Sequence, residues 1–239
     1  VVAQDVDADG DIDLLYNRRI QAPVLYLNDG QGHFTAVDDA LPGLVDGREL
    51  YAMALVDVTG DDLPELWATG VGMAMWSENH GNLDFGEWNF VYWDDEYPMD
   101  CHPSLSLGDF DGDGDLDLVL PGLDEVTGAD SIMGNAFSEW RAPYARLFIN
   151  RDREFELIDR LSPEPDTPGF SLVQAFTDRD RDGDMDLLSG TDRPVNDGDI
   201  YFPPQAFHRN DGLDADGLPV LVNDAPELSA DVNVSAMGL

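Results

Sequence analysis

Lysine is missing from this 239-residue chain, and its twelve basic residues, all arginine, face fifty acidic ones for a formal net charge of −38. So negative a surface repels phosphate backbones and anionic lipid, which removes nucleic acid and membrane surfaces as partners. One cysteine, Cys101, excludes an internal disulfide framework, and without Cys-x-x-Cys-His there is no covalent haem site. No apolar run approaches the ~18 residues that would mark a helical membrane span. Neither a Gly-x-Ser-x-Gly elbow nor a phosphate-cradling glycine loop occurs. The four histidines, His33, His80, His102 and His208, share no spacing and read as turn or packing residues. Cys101 and His102 are neighbours, and neighbours along a strand point to opposite faces, so they cannot serve as nucleophile and base. Carboxylate pairs suited to glycoside chemistry are so abundant that no single pair is informative. No catalytic residue is assigned, and the chain is read as not an enzyme.

A hydrophobic content of 43%, with five Trp and eleven Phe, argues for a folded core and against an acidic disordered tail. The chain begins at Val1 without methionine or signal peptide, as expected of a mature or trimmed product.

The acidic residues are not scattered. In Asp109-Phe110-Asp111-Gly112-Asp113-Gly114-Asp115-Leu116-Asp117, five carboxylates alternate and glycine takes the sixth position. Alternate carboxylates in a tight turn converge on one point, an arrangement that only a hard cation rewards. Gly114 marks a backbone position that needs φ > 0. Leu118-Val119-Leu120, bounded by Pro121-Gly122, then read as a strand. The same nine-residue loop recurs as Asp5, Asp7, Asp9, Asp11 and Asp13 around Gly10, and as Asp178, Asp180, Asp182, Asp184 and Asp186 around Gly183. A depleted copy offers Asp57, Thr59, Asp61, Leu63 and Glu65, with Asp62 in place of the glycine. The loops start at residues 5, 57, 109 and 178, spacings of 52, 52 and 69 that suit propeller blades or solenoid units.

An EF-hand would need a bidentate Glu at position twelve and flanking helices. Position twelve holds Tyr16, Leu120 or Ser189 in the three full loops, and no amphipathic helix flanks them. By analogy with calcium loops, positions 1, 3, 5 and 9 are expected to supply side-chain oxygens and position 7 a backbone carbonyl. Ca²⁺ is the expected ion: Mg²⁺ demands strict octahedral geometry, and zinc would want Cys or His, which the loops lack. The depleted loop is left as a weaker site, because the Thr59 hydroxyl is a poorer ligand than a carboxylate.

Between loops the order of elements holds. Leu-Tyr-Leu-Asn-Asp-Gly-Gln-Gly-His-Phe, residues 25–34, reads as a hairpin around Asn28, and comparable turns stand at Asn79-His80-Gly81-Asn82, Asn150-Arg151-Asp152-Arg153 and Asn210-Asp211-Gly212. Each repeat should therefore hold four strands: one before the acidic loop, one after it, and a hairpin. Repeat bounds are about 1–50, 51–102, 103–170 and 171–239, within a single all-β region. The third and fourth repeats carry insertions at 121–143 and 191–205.

The Asp-x-Asp-x-Asp-Gly-Asp-x-Asp loops and the Asn-Asp-Gly-x-Gly-x-Phe hairpin resemble FG-GAP/VCBS repeats, as in integrin-α-like propellers and in bacterial proteins similar to cartilage acidic protein with UnbV-type domains. That resemblance implies a calcium-bearing β-propeller, usually extracellular or at the cell surface, most often an adhesion or interaction module. Four blades of a larger, seven- or eight-bladed ring are expected. The leading expectation is a non-catalytic scaffold for a protein partner. The alternatives are a lectin-like glycan binder and an accessory propeller of a polysaccharide-degrading enzyme.

In an antiparallel four-stranded blade, successive connections alternate between the two strand ends. Acidic loops and hairpin turns should then share one face, and both insertions the other. That second face is expected to bind the protein or glycan ligand through Trp88, Tyr92, Trp93, Trp140, Arg141, Tyr201 and Phe202, types enriched at binding hot spots.

Overall fold

The structure, a computed structural model, describes residues 1–18, 20–37, 39–93, 102–122, 144–161, 170–192, 195–196, 199–200 and 206–224. Trp140, Arg141, Tyr201 and Phe202 lie outside those residues, as does Cys101. The chain divides into two compact units, Val1–Pro98 and Met99–Leu239. Each holds two of the four repeats, and among the described residues there is no helix.

In the first unit, β1 (Val2–Gln4), β2 (Asp13–Tyr16), β3 (Val24–Asn28) and β4 (Phe34–Val37) form one antiparallel sheet in chain order. β5 (Leu50–Val56), β6 (Glu65–Gly70), β7 (Met73–Ser77) and β8 (Asn89–Trp93) form the next. In the second unit, β9 (Ser106–Gly108), β10 (Asp117–Gly122), β11 (Tyr144–Arg151) and β12 (Glu154–Leu161) form a third sheet. The fourth contains β13 (Phe170–Thr177), β14 (Asp186–Asp192), β17 (Ala206–Leu213) and β18 (Pro219–Asn223). The insertion after β14 carries its own short pair, β15 (Val195–Asn196) and β16 (Asp199–Ile200). Four antiparallel four-stranded sheets are the blade architecture of a propeller-like, all-β fold.

Each acidic loop joins the first and second strands of its sheet, and each hairpin turn joins the third and fourth, so both stand at the same end of their blade. The turns differ in how they close. Asp152 and Arg153 at φ +57° and +70° make the two-residue, left-handed turn that suits twisted strands. In the fourth repeat the expected turn at Asn210-Asp211-Gly212 is instead a bulge inside β17, and the chain reverses later, at Asp214–Gly217. The displacement follows from Asp214, whose carboxylate accepts the amides of Asp216 and Leu218 and closes the turn there.

The middle strands carry the core. β6 and β7 are buried along their whole length, and Trp67 stacks on its cross-strand partner Trp76 at 6.1 Å. A strand covered on both faces needs a continuous apolar run, which is why Leu-Trp-Ala and Met-Ala-Met-Trp do not alternate with polar residues. In the first unit, Val6, Leu15, Leu25, Leu55 and Leu66 pack together from both sheets. In the second, Phe110, Val119, Ala145, Leu147, Ile149 and Leu187 do the same. Val6 and Phe110 are second residues of acidic loops, so the loops themselves reach into these cores.

Close packing at the β9–β13 seam gives a test. A Cβ on Gly108 would lie 2.7 Å from the Phe176 ring, and overpacking of this kind costs about 1–3 kcal/mol. Gly108→Ala is expected to lower the urea midpoint, and Phe176→Leu in that background to restore part of the loss. Strictly additive effects of the two changes would show that the contact is not the cause.

Candidate metal centres

Each acidic loop is wound on its own backbone by its own carboxylates. In the first loop, Asp5 Oδ2 accepts the Gly10 amide at 3.0 Å, Asp7 Oδ1 that of Asp9 at 3.3 Å, and Asp9 Oδ1 that of Asp11 at 2.9 Å. The third loop repeats the set with Asp109 to Gly114, Asp111 to Asp113 and Asp113 to Asp115. These short-range bonds coil the chain so that alternate side chains turn inward. Gly10, Gly114 and Gly183 sit at φ +96°, +100° and +104°, which a side chain rarely tolerates. Position 4 is also left-handed, at Ala8, Gly60, Gly112 and Arg181. Sequence reasoning missed this second reversal, since only two of the four copies signal it with glycine.

The ninth position is the hub. Asp13 is 1% exposed, and Asp117, Asp186 and Glu65 are fully buried. Asp13 Oδ2 accepts the Val6 amide and its Oδ1 the Asn28 amide. Asp117 accepts Phe110 at 2.7 Å on one oxygen and Asn150 at 2.8 Å on the other, and Asp186 accepts Arg179 and Asn210 in the same way. One carboxylate therefore ties the start of the loop to the hairpin of the same blade. Glu65 Oε2 takes the Val58 amide at 2.8 Å. The nearby Asn79 amide favours the ionised Glu65, yet Oε1 makes no hydrogen bond.

Three groups of carboxylates gather ligand atoms within 4.8 Å of one another: Asp5, Asp7 and Asp13; Asp109, Asp111 and Asp117; Asp178, Asp180 and Asp182. Asp9, Asp113, Asp115 and Asp186 fall outside the groups of their loops. So do Asp11 and Asp184, at the seventh position like Asp115, and their carboxylates lie toward the hairpin glycines Gly30 and Gly212. Burial, reinforced by neighbouring carboxylates, raises the Asp7 and Asp111 carboxyls above the usual range, and Asp180 shifts the same way. Asp117 is pushed up to about 6 by burial, against the pull of the Asn150 and Phe110 amides. In each case the charged form is disfavoured by its surroundings, and an opposite charge nearby would favour it.

In each full loop one oxygen of the first-position carboxylate is left without a partner. Asp5 Oδ1, Asp109 Oδ1 and Asp178 Oδ1 are buried and accept no hydrogen bond, although the other oxygen of Asp5 and of Asp109 is bonded. A buried, unpartnered carboxylate oxygen carries a desolvation cost of about 1–3 kcal/mol or more unless something positive meets it.

Residues 5–68 match the family model of the FG-GAP-like repeat. The FG-GAP-like match runs from Asp5, the first residue of the first loop, into β6, covering β2 to β5 and the loop of the next blade. No curated protein matches the chain.

The aromatic set divides. Trp88 precedes β8 and so stands at the hairpin end of its blade, where its indole N–H donates to Gly43 O at 2.8 Å. Tyr92 and Trp93 lie at the opposite end of β8. There Trp93 carries the Arg48 guanidinium 4.0 Å above its ring and meets Phe90 edge-on.

Removing Asp117 takes the acceptor from three buried amides, those of Phe110, Asp111 and Asn150, whereas Asp113 is exposed. In chelator, Asp117→Ala is expected to lower stability by about 2–5 kcal/mol, and Asp113→Ala by well under 1 kcal/mol. Urea unfolding decides it, and equal losses would show that the ninth-position carboxylate is not the hub.

Proposed function

We propose that the chain is an extracellular, calcium-bearing interaction module that does no chemistry, with one ion in each of the first, third and fourth acidic loops. The FG-GAP-like repeat is in general a non-catalytic module of protein interaction, and the observation that carries the calcium reading is the orphaned first-position Oδ1 in all three full loops. A donor set made only of carboxylate oxygen suits a hard cation. Asp5, Asp7 and Asp13 would hold the first ion, Asp109, Asp111 and Asp117 the next, and Asp178, Asp180 and Asp182 the last. Bound calcium supplies positive charge that cancels carboxylate repulsion and ties the loop together.

The second loop takes no ion in this proposal. Asp57 is already satisfied: Oδ1 accepts the amides of Thr59 and Gly60, at 3.2 and 2.7 Å, and Oδ2 that of Asp62 at 2.9 Å. At the first position backbone amides stand in for the cation, which removes the free oxygen that the full loops keep.

Loops of extracellular modules bind calcium at ~10⁻⁴–10⁻³ M, so they fill outside the cell and stay mostly empty in cytosol. The partner, a protein, is proposed to dock at the blade ends opposite the acidic loops, where Tyr92 and Trp93 end β8 and Trp93 is capped by Arg48 and met edge-on by Phe90. Trp140, Arg141, Tyr201 and Phe202, which lie outside the described residues, are proposed as further partner-contacting residues.

Calorimetric titration is expected to count three Ca²⁺ per chain. At a hundredfold excess over Kd, each ion adds about 2.7 kcal/mol, so chelation should lower the melting temperature markedly. Asp111→Ala or Asp180→Ala should each remove one ion, and Thr59→Ala none. An unchanged melting curve in excess chelator would sink the calcium reading, and loss of an ion in Thr59→Ala would restore the second loop as a site. For the docking surface, Trp93→Ala combined with Trp140→Ala and Arg141→Ala is expected to abolish retention of extracellular protein partners without changing calcium-dependent melting. Loss of retention only on mutating residues 28–32 would move the partner to the loop end.

A further inference from the structure

The hairpin asparagine does more than close its own turn. In every blade its side-chain Nδ2 donates to the eighth residue of the blade's own loop: Asn28 to Ile12 O, Asn79 to Pro64 O, Asn150 to Leu116 O and Asn210 to Met185 O. In two cases the same Nδ2 also reaches the neighbouring blade. Asn79, fully buried, donates to Val6 O at 3.3 Å, 73 residues away in the first loop. Asn210, 1% exposed, donates to Phe110 O at 3.0 Å, 100 residues away in the third. Each acceptor is the second residue of its loop, set between the first and third carboxylates of the proposed ion site.

That residue is held on all sides. The Val6 amide donates to Asp13 Oδ2, its carbonyl accepts from Asn79, and its side chain is buried in the core shared by the two sheets. Phe110 has the same three attachments, to Asp117, Asn210 and the core of the second unit. The peptide groups flanking Val6 set where Asp5 and Asp7 begin, and those flanking Phe110 set Asp109 and Asp111. Only an asparagine provides both N–H groups for two carbonyls while its own oxygen accepts a turn amide, from Gly81 in one case and Gly212 in the other. Aspartate would set a negative charge against two carbonyl oxygens.

We infer that Asn79 and Asn210 are positioning residues for the ion sites of the preceding blades, so that ion binding in one blade and docking of the next are coupled. The inference rests on the calcium reading above. By reciprocity, an ion in the first loop tightens the seam between the first two sheets, and loosening that seam weakens the ion. Partners one shell out from a metal typically change affinity 10–100-fold when removed.

The test uses the whole chain. Calcium titration of Asn79→Ala is expected to show one of the wild-type sites weakened at least about tenfold, with the others unchanged. Asn210→Ala should weaken a different site, and the double variant both. The unfolding midpoint should also fall further in calcium than in chelator for Asn79→Ala, whereas Met75→Ala, a change in the separate core cluster of the second sheet, should cost the same in both. If Asn79→Ala loses its native circular dichroism, Asn210→Ala, which leaves the first unit untouched, carries the same test on the third loop. Wild-type binding with both variants unaltered would overturn the inference while the calcium reading stands. No binding by the wild type would overturn both.

Discussion

Confining five carboxylates to nine residues is unfavourable unless each negative oxygen meets a donor or a cation, and the structure resolves the problem in layers. The outer carboxylates accept amides two to five residues along the loop, the ninth is buried and accepts one amide from the loop and one from the hairpin, and the first keeps one oxygen unspent. A loop built this way cannot be separated from its blade. Its second residue is core, its last carboxylate begins the second strand, and its amide partners lie in the hairpin.

The second loop is an internal comparison within the same chain. With threonine in place of the third-position carboxylate, Asp57 turns both of its oxygens onto backbone amides, and the unpartnered oxygens of this loop are Thr59 Oγ1 and Glu65 Oε1 instead. Asp62 still adopts the left-handed conformation, at φ +68°, so the trace of the turn survives. Loop shape therefore does not depend on the free first-position oxygen: backbone bonds maintain the turn in all four copies, and that oxygen is unspent in only three.

Arginine, the only basic residue type, is used for fixed contacts in several of its described positions. Arg48 lies over Trp93 and donates to Val71 O. Arg179 and Arg209 converge on Asp224 Oδ2, each at 2.9 Å, and Arg179 also covers the Phe207 ring. Asp224 is 4% exposed, so the two guanidiniums compensate a nearly buried charge. A planar guanidinium can pair with a carboxylate and stack on a ring at once, which an ammonium does less well.

How much could be read from the chain alone follows the range of the interactions. The Asp-x-Asp-x-Asp-Gly-Asp-x-Asp pattern determined the loops, their left-handed glycine and the strand after each, because the bonds that shape them span two to seven residues. Alternation and turn residues determined the four-stranded order, and the resemblance to FG-GAP repeats agreed with it. Tertiary structure alone decided which oxygens remain free, since that depends on amides from the hairpin, and it moved the fourth turn from Asn210-Asp211-Gly212 to Asp214–Gly217. It also separated Trp88 from Trp93, which strand direction sets and composition cannot. The bonds from Asn79 to Val6 and from Asn210 to Phe110 were the least legible of all: each joins residues 73 or 100 positions apart, and only the packing of one blade against the next brings such groups within reach.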